Sequence, residues 1–289
     1  MAIGYQITRE RELTDMQSRM VELTHEKSGA KVTAILNDDP NKVFSITFRT
    51  PPWDSTGLPH ILEHAVLCGS RKYPVKQPFV ELVKGSLNTY LNAMTFSDKT
   101  MYPIASCNDK DFRNLMDVYL DAVFYPSIYD KPEIFLQEGW HYECEGLDQP
   151  LTYNGVVYNE MKGAFSSPDS VLYRKIEQVL FPDTAYGYES GGDPEVIPEL
   201  TYEQFLAFHK TYYHPSNSFI YLYGNLDLEE TLAYMDEAYL KDFTRIEVDS
   251  ALKLQQAFEA PVRLEDEYPI GDTESTENKT FLSHNMVIG

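Results

Sequence analysis

The chain has 289 residues, 43% of them hydrophobic, with a formal net charge of −21 at pH 7; this is enough apolar material for one large or two modest globular domains. That charge repels phosphate backbones and anionic lipid, and no apolar run approaches the ~18 residues that cross a bilayer, so nucleic acid and membrane are excluded as partners. Cys68, Cys107 and Cys144 are an odd set without a CxxC pair, and the opening MAIGYQITRERELTDMQ has no apolar leader core; together these point to a reducing compartment and a cytoplasmic protein.

In chain order, SRMVELTHEKSGAKVTAIL alternates apolar and polar residues on both sides of a Ser28–Gly29 turn, and KVFSITFRT follows the NDDPN turn, which predicts an antiparallel meander. Ser55 or Thr56 is placed to cap a helix with Pro59 in its first turn, running through HILEHAVLCG to a stop at Gly69. SLNTYLNAMTFSDKTMYPIAS reads as strand, turn, strand. Asn108 caps a helix over DKDFRNLMDVYLDAVF, and Pro132 opens one over PEIFLQEGWHYECE. GVVYNEMKGAF and DSVLYRKIEQVLF predict two more helices, separated by SSP. Thr201 and Gln204 form a capping box before FLAFHKTYY, SFIYLYGN is a short buried strand, and Asp227 with Glu230 caps LEETLAYMDEAYL.

After Phe243 the composition turns polar, acidic and aperiodic, as in a linker or strap over 244–279, and TFLSHNMVIG then regains strand alternation. The expected organisation is one main domain over 1–243, the strap, and the start of a further domain at 280–289. The mixture predicts an α+β fold, mainly antiparallel sheet with helices packed on one face.

GLPHILEHAVLCGS carries the chemistry. Histidines four apart on a helix share one face about 6 Å apart along the axis, so His60 and His64 can face one ion, with Glu63 on the adjoining face. This is HxxEH, the inverted form of HExxH, in which two histidines bind Zn²⁺ and the glutamate is the general base. A tetrahedral site needs a third protein ligand. Cys68 continues the same row but lies about 12 Å from His60 along the axis, too far for ~2 Å bonds to one ion, and reads as a small buried hydrophobe. Glu138, His141, Glu143, Glu160, His209 and His214 all remain formal candidates.

GLPHILEHAVLCGSRKYP, LNAMTFSDKTMYP, QEGWHYE, GVVYNEMKGAF, SGGDPEVIPELTYEQFLAFHKTYYHPSN and YGN, in this order from about Phe44 to Asn225, resemble the N-terminal half of the pitrilysin/insulinase-type metallopeptidases, most closely the presequence-protease subgroup. The resemblance implies the LuxS/mitochondrial-processing-peptidase-like metallohydrolase fold for residues 1–243, with one Zn²⁺ held by His60, His64 and Glu160 and with Glu63 as general base. It implies that Glu138 stands behind the ligands, and that Asn92 and Ala93 belong to a strand along which an extended peptide is laid as an extra strand. Leu67, Phe79, Val80 and Val83 are candidates for an apolar pocket beside the cut bond, or for core. His209 and His214 read as structural, and the SGGD loop, Ser190 to Asp193, is no phosphate cradle because no strand-to-helix GxGxxG surrounds it.

The resemblance further implies peptide substrates of broad sequence and a missing C-terminal half that supplies an arginine and a tyrosine to the substrate carbonyl. The expected function is therefore zinc-dependent endopeptidase action on unstructured oligopeptides. Two rivals stand beside it: a non-catalytic peptide-binding subunit of the same fold, disfavoured by the intact HxxEH, and a small-molecule metallohydrolase, disfavoured by the peptide-docking strand.

Overall fold

The computed structural model describes residues 4–76 and 78–288. Met1 to Ile3, at the head of the segment read as lacking a leader, and Gly289, the last residue of the expected C-terminal strand, lie outside them.

The chain opens with strands β1 (Tyr5–Leu13), β2 (Ser18–His25), β3 (Lys31–Leu36) and β4 (Lys42–Arg49). Next come helix α1 (Leu58–Val66), helix α2 (Pro78–Gly85), and strands β5 (Asn88–Leu91), β6 (Met94–Thr95) and β7 (Lys99–Ser106). Helix α3 (Asp109–Phe124) and the short α4 (Glu133–Glu138) lead to a two-stranded hairpin, β8 (His141–Glu143) and β9 (Thr152–Asn154). Helices α5 (Val156–Ala164), α6 (Pro168–Leu180) and α7 (Tyr202–Tyr212), strand β10 (Ser218–Gly224) and helix α8 (Leu228–Ala238) complete the regular structure.

The main sheet runs β1-β2-β3-β10-β4-β7-β5, with β6 also paired to β7. All its pairings are antiparallel except β10 with β3. The α+β class expected from the sequence is the one observed, but the opening meander is interrupted: β10 inserts between β3 and β4. β10 is not uniformly buried either. Ile220 and Leu222 are in the core while Phe219 and Tyr221 are each 39% exposed, because helices cover only the other face of the sheet.

That covered face holds the core. Phe44, Ile46 and Phe48 of β4 and Tyr102 and Ile104 of β7 meet Ile61 and Leu62 of α1, Leu115 and Tyr119 of α3, and Phe205 and Phe208 of α7. Each such side chain contributes roughly 1.5–3 kcal/mol by leaving water. Helix starts follow the expected chemistry in three places: the side chains of Asn108, Thr201 and Asp227 accept from the backbone N–H groups of Asp111, Gln204 and Glu230 at 3.0, 3.2 and 2.9 Å.

Three further expectations need correction, and one strand went unread. The zinc-motif helix is not capped by Ser55 or Thr56: Gly57, at φ +74°, occupies the cap position because the backbone of Gly192 leaves no room for a side chain there. The helix expected over 132–145 stops at Glu138, and the chain leaves helical geometry at Gly139 (ψ −93°) to enter β8. Tyr5–Leu13, not recognised in the sequence, is the edge strand β1; its charged, weakly alternating side chains are mostly exposed, so it has little apolar pattern to read. Residues 280–288 form no strand, since among the described residues nothing pairs with them.

Candidate metal centre

Helix α1 is apolar on most of its circumference. Leu58, Ile61, Leu62, Ala65 and Val66 are all buried, as it packs on α4 and α7 and against β6 and β7. One narrow polar strip remains, formed by His60, Glu63 and His64. The two imidazoles meet edge to face with centroids 4.9 Å apart.

Each imidazole is held from behind. His60 Nδ1 lies 3.0 Å from the carbonyl of Gly191, and His64 Nδ1 lies 3.3 Å from Oε2 of Glu138. A carbonyl and a carboxylate only accept, so both Nδ1 atoms donate, and in the neutral rings the lone pair lies on Nε2. Those lone pairs face one carboxylate: Glu160 Oε2, on α5, is 3.8 Å from His60 Nε2 and 3.8 Å from His64 Nε2. The ligand atoms of His60, His64 and Glu160 all lie within 4.8 Å of one another.

Donors at ~2.0–2.1 Å from a shared ion at tetrahedral angles stand about 3.4 Å apart, so the two 3.8 Å separations between the histidines and Glu160 are within a few tenths of an ångström of what Zn²⁺ requires. Two imidazole nitrogens and one carboxylate are a donor set that suits Zn²⁺, and the Glu160 side chain is half-exposed. Of the six formal candidates for third ligand, Glu160 completes this cluster. Glu138 instead backs His64. His209 is buried between Tyr129 and the Val123 carbonyl, and His214 accepts from the Ser216 backbone N–H, so neither turns toward the site.

Electrostatics tie the group together. Burial pulls the His64 pKa down, but the hydrogen bond to Glu138 and the charges of Glu63, Glu138 and Glu160 outweigh it, leaving His64 above the usual histidine value. Burial pushes Glu138 up, while hydrogen bonds from His64, Gln137 and Cys68 overcome that and hold it below the usual carboxylate value. Cys68 is thus more than a small hydrophobe. Its thiol is within 3.3 Å of Glu138 Oε1, and Gln137 Nε2 donates to the same oxygen at 2.7 Å.

Glu63 is only 8% exposed and is fixed by a hydrogen bond of 2.7 Å from the Thr95 hydroxyl. Thr95 belongs to β6, and β5 and β6 together form the outer edge of the sheet beyond β7. Asn92 and Ala93 lie in the short break between them: the Asn92 N–H donates to Pro103 of β7 at 3.2 Å, and its carbonyl accepts from the Tyr119 hydroxyl at 3.0 Å. Leu67, Phe79, Val80 and Val83 do not share one environment. Leu67 is core, Phe79 packs at the core margin, Val80 is half-buried and Val83 is exposed.

Sequence reasoning missed Thr95 and Gly191. Thr95 carries the strand alternation that could have pointed to it, but a backbone carbonyl such as that of Gly191 leaves no compositional signal. A second hydrogen-bonded chain, Ser28–His25–Asp236, has distances of 2.8 and 2.9 Å. Ser28 is completely buried, so this serves to tie the β2–β3 turn to α8 rather than to attack a substrate.

Residues 48–134 match the model of the insulinase family (peptidase family M16), and residues 199–282 match that of the peptidase M16 inactive domain. HypA of Clostridium perfringens is 58% identical over 286 residues, 99% of this chain and 29% of that protein. Presequence protease 1, chloroplastic/mitochondrial, of Arabidopsis thaliana is 50% identical over 288 residues, covering 99% of this chain and 27% of that protein.

The chain belongs to the insulinase/pitrilysin family, M16.

This M16 chain spans less than a third of the length of the curated relatives it matches. Its fold is that of pitrilysin, whose crystal structure superposes with a TM-score of 0.64 at 20% identity, over 86% of this chain and 25% of that one. A Helicobacter pylori protease gives 0.63 at 16% identity, over 83% of this chain and 54% of that one.

Proposed function

We propose that the chain is the zinc-binding, base-carrying part of an M16 metalloendopeptidase that hydrolyses unstructured oligopeptides. The observation that carries this reading is the convergence of His60 Nε2, His64 Nε2 and Glu160 Oε2 from two helices, with Glu160 Oε2 3.8 Å from each nitrogen and Glu63 beside them. When bound there, Zn²⁺ supplies Lewis-acid polarisation and brings the pKa of water toward neutrality.

The chain's own residues do the rest. His60 and His64 present Nε2 because Gly191 and Glu138 hold their Nδ1–H groups. Glu63, oriented by Thr95, takes a proton from the attacking water and returns it to the departing amine nitrogen. The open edge of β5 and β6, on either side of Asn92 and Ala93, is where an extended peptide would be added as a further strand; such pairing is indifferent to side-chain identity, which favours broad specificity. Leu67, Phe79 and Val80 are the remaining candidates for contact beside the cut bond. The groups that would hold the substrate carbonyl belong to the further chain that the longer relatives carry.

The three cysteines are unpaired, which fits a reducing compartment such as the cytoplasm, while the Arabidopsis relative is named a chloroplastic/mitochondrial protein. No described helix is long and apolar enough to cross a membrane. A second reading, a non-catalytic peptide-binding subunit, draws on the match of residues 199–282 to the inactive-domain model. Those residues include none of His60, Glu63, His64 or Glu160. Metal analysis combined with cleavage of fluorogenic unstructured peptides, with and without the C-terminal remainder of a full-length relative, decides between them. One bound Zn²⁺ with cleavage that Glu63→Gln abolishes supports the peptidase; bound peptide with no cleavage in any combination supports the subunit.

A further inference from the structure

The SGGD loop has a use in the structure that the metal chemistry alone does not require. Its Gly191 carbonyl is the group that fixes His60, and the loop is clamped in place. The Asp193 N–H donates to the Ser55 carbonyl at 2.8 Å, and the Gly191 N–H donates to Glu189 Oε1 at 3.1 Å. Beneath it the backbones of Gly57 and Gly192 touch: a Cβ on Gly57 would lie 2.8 Å from Gly192 Cα, so the loop cannot slide toward α1.

From outside, the loop is held by Arg174 of α6. No residue of α6 is fully buried, yet the Arg174 side chain is only 18% exposed and donates Nη2 to Oδ2 of Asp193, which is 6% exposed. The guanidinium lies over the Phe165 ring at 4.7 Å, and its buried Nε has no hydrogen-bond partner among the described residues. A largely desolvated guanidinium with an unsatisfied N–H is expensive as a purely structural device.

We propose that Arg174 is a positioning residue for the metal centre, setting the direction of His60 Nε2 through Asp193 and the Gly191 carbonyl. The proposal rests on the zinc-site reading above. The partner that orients a ligating histidine typically changes metal affinity 10–100-fold, and an effect relayed through one further contact belongs at the lower end, about tenfold.

The test measures Zn²⁺ affinity by competition with a chromophoric chelator, and the visible absorption of the Co²⁺-substituted protein, for wild type, Arg174→Gln, Arg174→Lys and Asp193→Asn, each also in a His60→Ala background. Asp193→Asn keeps the oxygen that accepts from the Glu195 N–H, so it guards against failure to fold. The expected result is an affinity loss of about tenfold with shifted Co²⁺ bands in Arg174→Gln and Asp193→Asn, partial recovery in Arg174→Lys, and no further loss once His60 is absent. Wild-type affinity and spectrum in both variants would overturn the positioning role while leaving the zinc site standing. The same follows from an equal loss in the His60→Ala background. A wild-type chain that takes up no Zn²⁺ overturns the zinc-site reading and this proposal together.

Discussion

The hydroxyl of Thr95 donates to the carboxylate of Glu63 at 2.7 Å, so the proposed general base on α1 is fastened to the strand at the open edge of the sheet. A peptide added along that edge would meet the base in a set orientation. Glu63→Gln keeps the shape and an oxygen for the Thr95 hydroxyl but cannot take a proton. It is expected to bind Zn²⁺ as wild type does and to lower peptide cleavage about a thousandfold or more; normal turnover in a metal-replete variant would refute the role. Thr95→Val, which removes the hydroxyl, should lower kcat several-fold with little change in metal content.

Glu138 is expected to matter for affinity rather than for the chemical step. Glu138→Gln removes the charge that faces His64 Nδ1 at 3.3 Å and can turn an N–H toward it. Zn²⁺ affinity should fall roughly 10–100-fold. Chelator competition reads this directly, and saturating metal should restore most of the activity.

Gly155 begins the helix that carries Glu160. Its φ is +155°, and a Cβ there would lie 2.1 Å from the carbonyl oxygen of Gly139, a backbone atom that cannot yield alone. Gly155→Ala should therefore push α5 away from α4, costing about 2 kcal/mol or more. The melting temperature should drop, and metal affinity should drop with it, because Glu160 moves off the two histidines.

His209 predicts a pH dependence distinct from that of the metal site. Burial pushes its pKa down to about 4, against the weaker upward pull of the Val123 carbonyl that accepts from Nε2. The unfolded chain protonates this histidine near pH 6.5, so below that pH it binds more protons than the folded chain does. Stability should accordingly fall between about pH 6.5 and 4, with His209 accounting for about 3 kcal/mol. Chemical denaturation across this range, comparing wild type with His209→Gln, isolates the effect; parallel curves would contradict it.

Much of the site was legible because local spacing suffices for part of it. The i, i+4 placement of His60 and His64 puts two imidazoles on one helical face wherever that helix sits, and Glu63 comes with them. The alternation in β4 and β7, and the caps at Asn108, Thr201 and Asp227, are likewise short-range features written in adjacent residues. Glu160 was nominated by resemblance, since chemistry alone offered six donors and nothing in a linear pattern ranks them.

The tertiary structure decided what depends on segments distant in the chain. It placed β10 between β3 and β4, made Gly57 the helix cap because Gly192 crowds it, and ended α4 at Gly139. It also aimed the Gly191 carbonyl at His60 from 131 residues away. Periodicity reports which face of an element is apolar; which backbone groups meet across the fold is set by packing, and backbone atoms are the same in every sequence.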